Sequence, residues 1–363
     1  MIRRTDIAIV GAGMAGATLA AEIGGRASVL LLEAEEQPGH HSTGRSAAFW
    51  SESYGGPAVQ PLTTASGPFL RENGFLSPRG GLHIAQAAKG EGALQALAAE
   101  FGHAVELRAL GRDAVTQAVP GLRTGWNSGL LEPSCADIDV AALHAFYLAA
   151  ARRSGAEVLT RAELLGAERR GGDWRLDTRA GEIEADVLVN AAGAWADPVA
   201  RLAGVAPLGI QPYRRTMVQL RVDPPAPASL PLVIDAAGRF YFKPEAGGRL
   251  WLSPHDETAC APCDCAPEEY DVALAIDRLE KAVDWRVERV ERSWAGLRSF
   301  APDRVPVYGF APDAAGFFWF AGQGGFGIQT APAAAKLGAA LLLGGSAGAS
   351  IDAERYRPGR LMN

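Results

Sequence analysis

The run Gly11-Ala12-Gly13-Met14-Ala15-Gly16 restricts the fold more than any other feature of the chain. It follows a short apolar segment, Asp6-Ile7-Ala8-Ile9-Val10, and opens an alanine- and leucine-rich stretch over residues 17–23. A second apolar run, Ser28-Val29-Leu30-Leu31-Leu32, then delivers an acid, Glu33. Strand, glycine turn, helix and strand in this order predict a β-α-β unit of the dinucleotide-binding kind. Its glycines let the backbone turn tightly and approach a pyrophosphate, and the helix amino terminus supplies N–H groups and a positive dipole end. Glu33 stands where an adenosine ribose would donate its hydroxyls. Met1-Ile2-Arg3-Arg4 ahead of apolar residues imitates a secretory leader, yet Asp6 and Glu22 interrupt the apolar stretch and the glycines recur at the fingerprint spacing. A cytoplasmic strand and helix is therefore expected.

At 363 residues the chain has room for two lobes. A net charge of −6 argues against a nucleic-acid partner, which would require a basic face. No uninterrupted apolar stretch has the length of a membrane-spanning helix; the Ala/Leu-rich run near residues 333–343 is short and carries Lys336. Cys260, Cys263 and Cys265 imitate part of a metal knuckle, but three thiols so close lack an evident fourth ligand, and no metal is expected.

Further along, residues 136–153 read as a helix with Asp139 as N-cap, and Glu157-Val158-Leu159-Thr160 and Asp186-Val187-Leu188-Val189-Asn190 read as strands. Phe317-Phe318-Trp319-Phe320-Ala321 leads into Gly322-Gln323-Gly324-Gly325-Phe326-Gly327 and a long helix. Strands that feed glycine turns and then helices belong to a parallel sheet. Residues 216–221, 239–243 and 249–252 instead alternate like hairpin strands, with Pro224-Pro225 and Gly247-Gly248 as breaks. The expected architecture is α/β: a Rossmann-type domain on a parallel sheet (residues 1–75, 136–205 and 300–363) with an inserted α+β domain on an antiparallel sheet (residues 76–135 and 206–299). Ser42-Thr43-Gly44-Arg45, just after the second strand, reads as a helix start with a cation beside it, a second anion-binding end facing the same pyrophosphate.

With the fingerprint, His41-Ser42-Thr43-Gly44-Arg45-Ser46-Ala47, Asn190-Ala191-Ala192-Gly193-Ala194-Trp195, Trp294-Ala295-Gly296-Leu297-Arg298-Ser299-Phe300 and Gln323-Gly324-Gly325-Phe326-Gly327-Ile328-Gln329 in order, the chain resembles the D-amino-acid oxidase superfamily of flavoproteins. The nearest likeness is to the bacterial D-arginine dehydrogenases. The resemblance implies non-covalent FAD: no cysteine follows the Trp294-to-Phe300 segment to attach it. It places the ADP half at Gly11, Gly13, Ala15, Gly16 and Glu33, and the rest along Ser42, Thr43, Arg45, Ser46, Ala47, Ala48, Gly193, Trp195 and Arg298. Gly324, Gly325, Phe326, Gly327, Ile328 and Gln329 would face the pyrimidine end. Arg215 and Arg298 would grip a substrate carboxylate, a task suited to planar guanidinium forks, with Tyr54 and Tyr241 closing over it. Hydride would pass from the α-carbon to the flavin, and the imino acid would hydrolyse to a keto acid and ammonia.

The substrate pocket implied by the resemblance comprises Phe49, Trp50, Gly81, Gly325 and Gln329. Gly81 replaces the family's guanidinium-binding glutamate, and Phe49 and Trp50 replace a histidine and a tyrosine, so a neutral or hydrophobic D-amino acid is expected. Glu52 is the one nearby acid that could stand in for the missing one. N-methyl amino acids, 2-hydroxy acids and a non-catalytic flavin-binding role are the alternatives, while a nicotinamide enzyme would lack the carboxy-terminal glycine loop. The reoxidant, quinone or dioxygen, is left open, as is peripheral contact with the inner membrane.

Overall fold

The computed structural model describes residues 2–86, 90–345 and 351–362. Strand β1 (Arg3–Val10) lies between β2 (Val29–Leu32) and the long strand Gly181–Asn190, parallel to both, so that Val10 is level with Leu32 and with Asn190. Glu157–Leu159 extends the parallel array beyond β2, and Phe317–Ala321 extends it beyond Gly181–Asn190. The loops after Val10, Leu32, Asn190 and Ala321 therefore leave from one edge of the sheet, where open α/β sheets bind ligands. The hairpin Leu164–Arg170 and Asp173–Thr178 pairs with the first half of Gly181–Asn190, and Val307–Phe310 closes the other flank; both are antiparallel additions.

Strand periodicity sorts the core. Ile7, Ile9, Leu31, Phe318 and Phe320 face helices α1 (Met14–Ile23), Val140–Arg153 and Ala331–Leu343. Ala8, Val10, Leu30, Leu32, Phe317 and Trp319 face the opposite side, toward Ala196–Leu202. Burial on both faces explains why these strands read as unbroken apolar runs. Asp139 caps Val140–Arg153 by accepting from the Ala142 N–H at 2.9 Å. The expected helix at residues 136–153 thus begins later: Ala136–Ile138 is the middle strand of a small sheet with Phe49–Trp50 and Leu76–Pro78.

The second sheet is built on two long antiparallel strands, Gln211–Asp223 and Arg286–Phe300, with Tyr213 opposite Arg298 and Arg215 opposite Gly296. Arg249–Ser253, Tyr241–Glu245, Leu232–Asp235, Gly81–Gln86, Trp126–Glu132 and Arg108–Gly111 follow in order. One pair departs from the expected antiparallel pattern: Leu232–Asp235 runs parallel to Gly81–Gln86. At the other edge Gln323–Gly324 pairs with Ser299 and Phe300, which ties the carboxy-terminal glycine loop of the first sheet to the strand that carries Arg298.

His83, on Gly81–Gln86, has a buried Nε2 without a partner among the described residues, and burial pulls its pKa from 6.5 to about 4. The unfolded chain therefore binds a proton here at a pH where the folded chain does not. Stability drops as pH falls from 6.5 toward 4, by about 2 kcal/mol at pH 5. Thermal melts of the wild type and of His83→Leu at pH 7 and pH 5 check this. The variant should lose less stability on acidification, and equal losses would contradict the assignment.

Candidate active site

Gly11 has φ +102°, and a Cβ there would lie 2.5 Å from the Ala191 carbonyl oxygen, so the turn closes only around glycine. Gly16 serves packing: a Cβ would overlap the Gly11 carbonyl oxygen, and Gly16 does not line the cavity. Gly11, Gly13 and Ala15 do line it. Glu33 follows β2, and its carboxylate accepts from the N–H groups of Ala12 (3.1 Å) and Glu35 (3.0 Å); burial pushes its pKa up.

The segment after β2 departs from the expected capped helix. Residues Thr43–Arg45 form a single 3-10 turn, and the Thr43 hydroxyl accepts from the Met14 N–H at the start of α1 (3.0 Å). Ser42 caps nothing; its hydroxyl donates across to the Leu297 carbonyl (2.7 Å). Arg45 reaches the same way, to the carbonyls of Cys265 (3.0 Å) and Ala295 (3.3 Å) and to the Asp264 carboxylate. Its guanidinium is thus held by carbonyls and a carboxylate of the chain, while Ser42, Thr43 and Arg45 all line the cavity. His40, His41 and Asp264 bring three ligand atoms within 4.8 Å, but Arg45 already holds Asp264 and lies 3.3 Å from His40, a cationic setting unsuited to a metal ion.

Beyond this turn, Ser46, Ala47, Ala48 and Phe49 line the cavity. Ala48 has φ +57°, a left-handed conformation unusual for a residue with a Cβ. Its carbonyl is fixed by the Ile138 N–H (3.0 Å) and by the buried Lys243 ammonium (3.3 Å), which also pairs with Asp137. Gly193, Trp195, Gly324, Gly325, Gly327, Ile328 and Gln329 line the cavity as well. Phe326 does not; its ring packs against Tyr54 and Phe300. A Cβ on Gly325 would overlap the Arg298 guanidinium, so glycine there admits the arginine.

Arg215 and Arg298 are 6% and 9% exposed and meet at the far end of this cavity with Phe49, Tyr54, Met217 and Tyr241. The antiparallel register of their strands brings them together from positions 83 residues apart (298 minus 215). Arg298 donates to the Tyr54 hydroxyl (2.6 Å) and to Glu257 (2.9 Å). Burial, and further the charge of Arg215, pull the Arg298 pKa down. Arg215 donates to the Asp256 carbonyl (2.7 Å) and to Glu257 (3.3 Å), while its Nη1 is buried with no partner among the described residues. Tyr241 donates to the Met217 sulfur (3.2 Å), and burial pushes its pKa up, so it stays protonated at neutral pH.

Two expected pocket residues lie elsewhere. Trp50 is fully buried in the core of the first sheet, its indole N–H on the Thr63 carbonyl (3.2 Å). Gly81 faces Cys135, whose Sγ would be 3.2 Å from a Cβ, and does not line the cavity. Neighbouring strand residues point to opposite faces, and the period of two sends Phe49 inward and Trp50 away. Glu52 likewise stays outside, accepting from the Thr64 hydroxyl (2.6 Å).

Glu132 and Glu257 went unnoticed in the sequence. Glu132 is buried and accepts from the Ser51 hydroxyl (2.8 Å), the Glu52 N–H (2.7 Å) and the Ser53 hydroxyl, fixing the turn that presents Tyr54; burial pushes its pKa up. Gln329 braces the same turn, donating to the Tyr54 carbonyl (3.0 Å) and accepting from the Ser51 N–H (3.3 Å). Neither acid has a strong local signature, because apart from the Ser134 hydroxyl on Glu132 (3.4 Å) the partners named here are distant in the chain.

The cavity, about 680 Å³, runs from the Gly11 turn and Glu33 to the arginine pair. An elongated ligand with an anionic middle suits the glycine-lined end, and the unpaired Arg215 nitrogen demands an acceptor at the other.

The chain is similar in sequence and in fold to several known proteins. The chain is 31% identical over 195 residues to glycine oxidase of Pseudomonas putida, covering 51% of this chain and 49% of that one. It is 25% identical over 358 residues to glycine oxidase of Geobacillus kaustophilus, covering 92% of this chain and 91% of that one. The crystal structure of glycine oxidase from Geobacillus kaustophilus superposes with a TM-score of 0.85 at 24% identity, over 98% of both chains. L-proline dehydrogenase from P. horikoshii superposes with a TM-score of 0.87 at 21% identity, over 99% of this chain and 98% of that one. For three curated relatives the aligned part spans only 36% to 56% of the relative's length. The family described as "DAO: FAD dependent oxidoreductase" matches residues 6–341, and the chain is accordingly a member of that family, an FAD-dependent oxidoreductase.

Proposed function

We propose that this protein oxidises D-amino acids with neutral, apolar side chains to imino acids, which water converts to keto acids and ammonia. The observation that carries the reading is the substrate end of the cavity: two buried arginines, two tyrosines, Phe49 and Met217, with Glu33, Glu35 and Glu163 at the other end as the acids of the described lining. A cationic side chain would lose its hydration against this wall without a counter-charge, at several kcal/mol. The glycine oxidase activity named for the relatives is consistent with a carboxylate-bearing amine as substrate.

In this reading FAD is held without a covalent bond: Gly11, Gly13, Ala15 and Glu33 take its ADP half, and Ala47, Ala48, Gly324, Gly325, Gly327, Ile328 and Gln329 its ring end. Bound there, it supplies the two-electron acceptor for a hydride. The chain's own groups orient the substrate. Arg298 and the free Arg215 nitrogen receive the carboxylate, and the Tyr54 hydroxyl, already fixed on Arg298, closes beside it. Tyr241 keeps its proton and acts as a donor. His255, whose ring lies 5.6 Å from that of Tyr241, is held neutral by burial, with its pKa down to about 3. It does not line the cavity, and the substrate ammonium passes its proton to water.

An anaerobic panel of D- and L-amino acids, N-methyl amino acids and 2-hydroxy acids tests the substrate class by bleaching of the flavin absorbance. D-leucine or D-phenylalanine should reduce the protein at least tenfold faster than D-arginine; preferential reduction by D-arginine, an L-amino acid or a hydroxy acid would sink the reading. Arg298→Lys replaces a fork by a point charge and should lower kcat/KM roughly a hundredfold, about 3 kcal/mol, with the bound-flavin spectrum retained. Glu132→Gln places an amide N–H₂ among donors that need acceptors. Steady-state kinetics should show a severalfold rise in KM and a smaller change in kcat, because the turn holding Tyr54 loosens.

A further inference from the structure

Glu257 is the centre of an arrangement the reaction itself does not require. One of its oxygens, Oε1, accepts from three guanidinium groups: Arg298 Nη1 at 2.9 Å, Arg304 Nη2 at 2.9 Å and Arg215 Nη2 at 3.3 Å. Arg304 also reaches Oε2 at 3.1 Å. With the Tyr54 hydroxyl on Arg298 Nη2, both terminal nitrogens of Arg298 are occupied from within the protein. Three of the five N–H groups of Arg298 are left over, so a substrate carboxylate that grips this arginine shares it with Glu257, and the two anions compete for one positive charge.

The partners differ in how easily they yield. Arg215 and Arg298 are buried in the middle of long paired strands. The Glu257 side chain is 35% exposed and sits between Arg249–Ser253 and the two-residue strand Thr258–Ala259, outside the cavity lining. Arg304, 48% exposed, lies on the outer side and can keep Glu257 paired when the inner arginines are taken. Arg215 Nη1, a buried donor with no partner among the described residues, can bond an incoming acceptor without giving up an internal bond.

Resting on the carboxylate-clamp reading above, we propose that Glu257 is an internal competitor for the substrate carboxylate: it occupies Arg298 and Arg215 in the free protein, moves its pairing to Arg304 when an anion binds, and so determines how tightly the site holds carboxylates. Binding then sets two carboxylates against each other for the charge of Arg298, and Arg215 Nη1 adds a bond that no described residue takes. A site built this way binds modestly and releases its product readily.

The test uses the FAD-loaded protein and titrates non-oxidisable monocarboxylates, benzoate and acetate, by the change in flavin absorbance, alongside KM and kcat. Glu257→Gln keeps the shape and an acceptor oxygen but removes the charge, which weakens the internal competitor. It should bind both anions about tenfold more tightly, the difference between a charged and a neutral acceptor, and lower KM without raising kcat. Arg304→Gln, a change at a half-exposed side chain, removes the alternative partner and should act in the opposite direction, with weaker anion binding by threefold or more. If the wild type binds the anions and Glu257→Gln binds them equally or less well, Glu257 only positions the arginines and the competition is refuted. Movement of the two variants in the same direction refutes it too. If the wild type binds no carboxylate at all, the clamp itself is wrong, and the inference falls with it.

Discussion

Two guanidinium charges buried side by side repel one another in a medium that screens poorly, and the architecture around Arg215 and Arg298 exists to offset that repulsion. Glu257 lies against both, Asp256 supplies a carbonyl to one, and the Tyr54 hydroxyl takes the other. The long antiparallel pair Gln211–Asp223 and Arg286–Phe300 provides the rigidity that such a concentration of charge demands. Breaking one partner of a buried charged set leaves an uncompensated ion, which costs far more than the set contributes when complete. Glu257, paired on its outer side with Arg304, keeps a partner of its own when the inner arginines are engaged elsewhere.

The first sheet solves a different problem. Its parallel strands end level with one another, and four loops converge on one edge, where glycine-permitted turns and a helix amino terminus make a place for an elongated anion. The second sheet contributes few backbone groups and many side chains. A cavity shared by the two therefore combines backbone recognition at one end with side-chain recognition at the other.

Much of this was legible from local pattern. The fingerprint, the buried strands and the Asp139 cap depend on neighbours within a few residues, and the sequence displays such neighbours directly. Arg298 was conspicuous as a charge in an apolar segment. What escaped depends on pairings distant in the chain. Glu132 reads as an ordinary strand-end acid until the fold brings residues 51–53 to it, and Glu257 reads as part of a polar loop until three arginines gather on it. Trp50 and Gly81 illustrate the converse: both belong to strands, and the face to which a strand residue points depends on a register that the sequence leaves open. Arg45 reads as an anion-binding cation beside a helix start, while the partners it has in the fold, Asp264 and the carbonyls of Cys265 and Ala295, lie some 220 and 250 residues away along the chain.

The reach of Ser42 to Leu297 and of Arg45 to Ala295 has a mechanical consequence. These bonds rivet the loop after the second strand to the very strand that bears Arg298, and Gln323–Gly324 rivets it again from the carboxy-terminal side. Swinging the two halves apart like a clamshell would break all of them together. Opening of the cavity by a hinge between the halves is thereby resisted from both sides, and the turn that carries Tyr54 is bound into the same frame by Arg298 and Gln329.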